Sequence, residues 1–265
     1  MRKAAYLPLI GLLLAIAPVA RPVPASVVRS VSDARQSELF ALHAAPTRKS
    51  ARPLPAALAH RDIPASLRGV LAETLEALPG CRKTLRNVFI RSDGSIPRAF
   101  GGDKSILLNG NLPVDEVRAL FIHECGHVTD LGWLRGSAAA APSGFRDGSI
   151  VIRADDPSVD FYRISWTDER THRQGVSDED FVSEYSSWDP WEDFAESYTY
   201  YFLHEEDFRR RAQENDALRR KLDWLETHVF TDFTPVATGL YVADGRVPWD
   251  VTLLPYKWEH PNANP

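Results

Sequence analysis

The sequence predicts a mainly helical α+β domain with a small sheet, the sheet lying beside the helix that carries "HECGHVTD", residues 123 to 130. Three observations lead there. Apolar residues recur at helical spacing along most of the chain after residue 65. Two short runs, "LRNVFIRSDGS" and "SILLNG", read as strands placed just before that helix. At 265 residues, with 44% apolar and 25% charged residues, the chain has material for one sizeable core.

The first element is an address. Arg2 and Lys3 precede the uncharged run Ala4 to Ala20, which ends at Arg21 and is interrupted by Pro8 and Pro18. A charged start and an apolar run short of the roughly 20 residues of a spanning helix follow the plan of a secretory signal. Small residues at Val23 and Ala25 suit a cut after residue 25, and an uncleaved anchor is the alternative. Such a cut removes Arg2, Lys3 and Arg21 and takes the formal charge from −5 to −8. The acidic balance offers no basic field for phosphates, so nucleic acid is not an expected partner.

Residues 26–55 are rich in Pro, Ala, Arg and Ser without periodicity and read as a flexible arm. A folded domain is expected over 56–258, followed by a loose tail at 259–265. Within it, Leu67, Val70, Leu71, Leu75 and Leu78 mark a helix that Pro79-Gly80 should stop. The two strands follow and could lie side by side. Asn111 and Pro113 then announce a long helix with Val117, Leu120, Phe121, Val128 and Leu131 facing the core.

"RGSAAAAPSGFRDGS" reads as a loop and "DFYRISWTDE" as a short packed helix, the whole connection suiting a rim over a cleft. Asp189-Pro190 opens another helix, with Trp191, Phe194, Ala195, Tyr198 and Phe202 as its buried stripe. Periodicity continues through Phe208, Ala212, Leu218, Leu222, Leu225 and Val229 as a closing helix or helix pair, in which Arg209 to Arg211 read as a solvated face. "VPWDVTLLPYKW" is apolar enough to dock, with no legible chemistry.

His123 and His127 lie one turn apart mid-helix and project to the same side, so both imidazoles can reach one ion. Glu124 sits about 100° round, at the rim. Gly126 costs the helix interior about 1 kcal/mol relative to Ala, which makes sense if another element approaches closely there. Cys125 falls on the wrong face to join the histidines and reads as a small buried packing residue. It could pair with Cys81, the other cysteine, in an oxidising compartment.

A catalytic zinc needs three protein ligands and an open position, and two histidines are not enough. The metzincin continuation is absent, since Asp130 and Trp133 stand where glycine and histidine would be required. Glu192 and Glu196 share a face of the later helix. One could ligate while the other holds a ligand histidine. Glu192 is equally well placed to cap its own helix after Asp189.

"HECGHVTD" with the later "YSSWDPWEDFAESY", residues 185 to 198, resembles the catalytic domain of anthrax toxin lethal factor and its relatives, gluzincin zinc metallopeptidases. The resemblance implies a zincin-like fold, Zn2+ held by His123, His127 and Glu192, Glu124 as base, Glu196 behind a ligand histidine, and Tyr185 assisting catalysis. Cys125 and Asp193 replace phenylalanines of the family pattern, and 64 residues separate His127 from Glu192. The resemblance covers about residues 85 to 205.

What it implies is an exported hydrolase of peptide bonds, a metalloprotease acting on a peptide or protein substrate. Zinc would acidify its water, Glu124 would take the proton, and zinc with Tyr185 would stabilise the oxyanion. Membrane contact is expected only if the N-terminal segment stays uncleaved, the site then being periplasmic, extracellular or anchored. An edge strand near "SILLNG" could pair with extended substrate. His172 and His204 are spare candidates that read more simply as surface histidines. The competing class is a catalytically silent binding module of the cell envelope on the same scaffold.

Overall fold

Leu67, Leu71 and Leu75 return to one side of a helix every three or four residues, and burial of that side folds Ala65–Glu76 as α1. The computed structural model describes residues 54–60, 62–93, 97–231, 235–239 and 247–259. The signal segment, nearly all of the expected arm and the tail from residue 260 lie outside them. Among the described residues the chain is mainly helical with small sheets, an α+β fold as expected.

The first helix stops at Glu76, just before Pro79-Gly80 as expected, and Pro79 then begins a new short helix, α2, Pro79–Thr84. Proline suits a first helical position because the N–H it lacks would have no partner there. Gly80 is needed for a different reason: a Cβ would come within 2.8 Å of the Trp133 ring.

The first sheet holds β1, Asn87–Arg91, β2, Ala99–Gly101, and β3, Ser105–Asn109, in the order β1-β3-β2. β1 and β3 pair in parallel, as neighbours were expected to, and bury Val88, Ile90, Ile106 and Leu108. β2 pairs antiparallel with β3. The "SILLN" strand is therefore central, and the edge reading is corrected: among the described residues β1 and β2 are the outer strands of this sheet.

Two more strand pairs involve stretches read as loop or tail. β4, Pro142–Asp147, and β5, Ile150–Arg153, form a hairpin where a loop was expected. Gly148, at φ +55°, makes the turn after Asp147, a combination that favours hairpins over the preceding alanine-rich coil. β6, Ala237–Gly239, and β7, Tyr256–Trp258, pair antiparallel, so the apolar tail segment docks.

The core lies between two long helices. α3, Val114–Val128, continues into a π-helical turn at Thr129–Trp133. The short helix expected from "DFYRISWTDE" is α4, Ser158–Ser165, with Val159, Phe161, Tyr162 and Ile164 buried. α5, Pro190–Glu214, begins at Asp189, whose Oδ1 accepts the N–H groups of Trp191 and Glu192 at 3.0 and 2.9 Å. α6, Asp216–His228, completes a helix pair, capped by Asn215.

At the crossing of α3 and α5 a Cβ on Gly126 would lie 2.9 Å from the Ala195 Cα. The glycine thus lets the motif helix approach the backbone of α5, as its position suggested. Cys125 is fully buried, as expected of a packing residue, and in addition is disulfide-bonded to Cys81, tying α3 to α2. Asp193 is fully buried and paired at 2.8 Å with the fully buried Lys221 of α6. Trp166 Nε1 donates to its other oxygen at 3.0 Å.

Two surface readings need correction. His204 is 1% exposed, at a break in α5 where its φ and ψ are −136° and 38°. Arg209 and Arg210 do face solvent, but Arg211 turns inward and donates to the carbonyls of Phe181 and Val182. No helix among the described residues is long and apolar enough to cross a membrane.

Candidate metal centre

His123 and His127 come from the buried side of α3, and Glu192 comes from the first turn of α5. Asp189 caps that turn with its own carboxylate, while the Glu192 side chain turns to the histidines and Tyr185 instead of back to the helix start, the other role its spacing allowed. Glu192 Oε2 lies 3.1 Å from His123 Nε2 and 3.5 Å from His127 Nε2. One ligand atom from each of the three residues falls within 4.8 Å of the others, a grouping able to hold a metal ion.

Glu196, one turn further along α5, is fully buried, and its Oε1 lies 2.9 Å from His123 Nδ1. Its Oε2 accepts from the Ser183 hydroxyl at 2.5 Å and from the Val251 N–H at 2.9 Å. Two protein donors on one oxygen leave the other to accept from Nδ1–H. With Nδ1–H committed to Glu196, Nε2 is the nitrogen that can offer a lone pair to a metal; while it is protonated it donates to Glu192 Oε2 at 3.1 Å.

Burial opposes charge on His123, yet hydrogen bonds to Glu192 and Glu196 hold its pKa well above the usual imidazole range. His127 is raised too, Glu192 outweighing burial. Burial would push Glu192 up, but the two imidazoles hold it well below the usual carboxylate range. Two carboxylates around two imidazoles make a pocket that favours positive charge. Neutral nitrogens plus a carboxylate are also the donor set that suits zinc.

Glu124 is not part of the ligand group. It lies under β2: a Cβ on Gly101 would overlap its Oε2, so only glycine leaves room for the carboxylate there. Glu124 is 5% exposed and its Oε2 has no hydrogen-bond partner. Burial raises its pKa, which makes it a better proton acceptor than an ordinary surface glutamate.

Tyr185, in the 3-10 turn Tyr185–Ser187, donates its hydroxyl to Glu192 Oε1 at 3.0 Å. Burial and the Glu192 charge raise its pKa above the usual phenol range, so it remains a donor. All six expected site residues are thus brought together by α3, α5 and that turn. His172 and His204 are not: His172 bonds the Ser187 carbonyl and packs on Trp166, while His204 lies in the core.

A cleft of about 260 Å³ reaches the site at His123, Glu124 and Tyr185 and is lined further by Arg98, Leu120, Trp249 and Asp250. The C-terminal segment expected to carry no chemistry builds much of this wall. Glu184 and Tyr185 donate their N–H groups to the carbonyls of Pro248 and Trp249, Val251 secures Glu196, and Asp250 pairs with Arg98 at 2.6 Å. Asp130 was also missed as a site neighbour. It is buried behind His127, accepts from Tyr162 at 2.6 Å and is pushed up to about 7 by burial. Neither feature has a local sequence signal, because both depend on pairing across more than thirty positions in the chain.

No protein-family model, curated protein or solved structure matches this chain.

Proposed function

We propose that this chain is an exported zinc-dependent metallopeptidase of the gluzincin type, resembling the lethal factor catalytic domain. The observation that carries the reading is the meeting of His123, His127 and Glu192 from two helices, with Glu196 fixing the tautomer of one ligand. Two histidines alone would fit many roles. A third donor, an unpartnered buried glutamate beside it and a protonated phenol across it fit hydrolysis far better than a closed structural site.

When bound, zinc supplies Lewis-acid polarisation of a carbonyl and lowers the pKa of water. The chain's residues do the rest. Glu124 accepts a proton from the attacking water and returns it to the leaving amide nitrogen, so the C–N bond breaks with a neutral amine departing. Tyr185 redirects its O–H from Glu192 to the substrate carbonyl oxygen as negative charge grows there. Glu196, held by Ser183 and Val251, keeps the His123 ring in place throughout.

Export is supported by the charged-then-apolar N-terminus and by the Cys81–Cys125 bond, since such bonds persist chiefly in oxidising compartments. The test joins zinc stoichiometry of the purified chain to cleavage of a mixed peptide library by wild type and Glu124→Gln. The expected result is one zinc in both proteins and cleavage in wild type alone. Equal cleavage by both removes Glu124 as base, and bound zinc without cleavage by either favours the silent module.

A further inference from the structure

Trp188 and Trp249 remain 60% and 51% exposed although their rings meet edge to face, centroids 5.8 Å apart. Large exposed indoles placed together are uncommon on a protein surface and mark recognition more often than packing. They meet beside the cleft. Trp249 lines it, and both rings lie against Tyr185, Trp188 at 5.1 Å and Trp249 at 6.4 Å between centroids. Their backbones are fixed: the Tyr185 N–H bonds the Trp249 carbonyl, and Trp188 closes the 3-10 turn that carries Tyr185.

The polar wall beside them is largely engaged within the protein. Arg98 gives one N–H from each of its three nitrogens to Glu116, Asp250 and Thr252, which leaves two of its five. Asp250 Oδ1 accepts from both the N–H and the hydroxyl of Thr252. With most of those groups engaged, the largest surface free to recognise substrate is aromatic. A large apolar side chain would cover the indole faces.

We propose that Trp188 and Trp249 are specificity-determining residues that clamp an aromatic or large aliphatic side chain of the substrate next to the scissile bond. The proposal rests on the peptidase reading for its substrate class. Rigid aromatic walls lose little entropy on binding, and one methylene more or less in an apolar pocket changes selectivity about 10–200-fold.

Two readouts test it. In the first, kcat/KM is measured for peptides carrying Phe or Ala at each position around the cleaved bond. Wild type prefers Phe at one position, and the Phe-to-Ala ratio there falls at least tenfold in Trp249→Ala and in Trp188→Ala, with partial recovery in Trp249→Phe. A ratio within twofold of wild type, or a wild-type preference for Lys or Arg at that position, overturns the proposal.

The second readout does not need turnover. Calorimetric titration of the same peptides into zinc-loaded Glu124→Gln is compared with Glu124→Gln/Trp249→Ala. Phe-dependent binding lost in the second variant supports the clamp even if no peptide is ever cleaved, in which case only the peptidase reading fails. Binding of Phe and Ala peptides that is equal in Glu124→Gln overturns the clamp itself.

Discussion

Two glycines inside helices make opposite predictions for one substitution. Gly69 is exposed on α1, and a Cβ there meets nothing within 4 Å. Gly126→Ala would set its Cβ 2.9 Å from the Ala195 Cα and 3.2 Å from the Ala195 Cβ. Both changes gain up to about 1 kcal/mol of helix propensity. At Gly69 nothing opposes the gain, so Gly69→Ala should stabilise by about 0.5–1 kcal/mol. At Gly126 the obstacle is backbone, which cannot swing aside, and overpacking of this kind costs about 1–3 kcal/mol.

The cost wins, and it is paid where α3 and α5 carry the proposed ligands. Gly126→Ala should therefore lower stability by up to about 2 kcal/mol and weaken zinc binding, while Gly69→Ala leaves zinc binding unchanged. Urea unfolding of the metal-free proteins measures the first effect, and competition with a chromophoric chelator the second. If Gly126→Ala is as stabilising as Gly69→Ala and binds zinc like wild type, the close crossing of α3 and α5 does not hold the site, and the reasoning fails.

Three other expectations follow from buried charge. Glu196→Gln should weaken zinc binding about 10–100-fold by loosening the His123 tautomer, and unchanged affinity in the chelator competition would remove its positioning role. Lys221→Met leaves the Asp193 carboxylate buried without its cation and should cost about 3–5 kcal/mol in urea unfolding. The double change Asp193→Leu/Lys221→Met should cost clearly less, and equal losses would refute the pairing argument. His204 is held neutral by burial, its pKa lowered from 6.5 to about 4. Between those values the unfolded chain binds the extra proton, so stability is full above pH 6.5 and declines as pH falls toward 4, by on the order of 2–3 kcal/mol. His204→Phe should flatten that part of the pH–stability curve; an identical curve would exclude the buried imidazole as its source.

The parts of this fold that the sequence announces are those set by local chemistry. Asp189-Pro190 marks the start of α5 because a side-chain cap and a fixed φ act within three residues. The positions of His123, His127, Glu192 and Glu196 on their helices follow from the helical repeat alone. Whether Glu192 turns back to its own helix start or outward depends on the neighbouring helix, and in the structure it faces the histidines.

Long-range pairing is where local reading stops. β2 is three residues long and exists because β3 offers it partners, so "SILLN" looked like an edge. The tail segment at Trp249 to Thr252 reads as plain apolar chain, yet it meets Glu196 and Arg98 more than fifty and a hundred and fifty positions away, respectively. His204 sits beside "EED", which suggests solvent, but the break in α5 and the nearby Gly239 bury it. The Asp147-Gly148 turn was a legible hairpin signal hidden by the alanine run before it.

X-ray absorption at the zinc edge, on the purified and zinc-loaded chain, tests the central claim most directly. The account predicts two imidazole nitrogens at about 2.0–2.1 Å and carboxylate oxygen at about 2.0–2.2 Å, with one imidazole lost in His123→Ala and again in His127→Ala. A sulfur scatterer near 2.3 Å, or a spectrum that neither substitution alters, would contradict it.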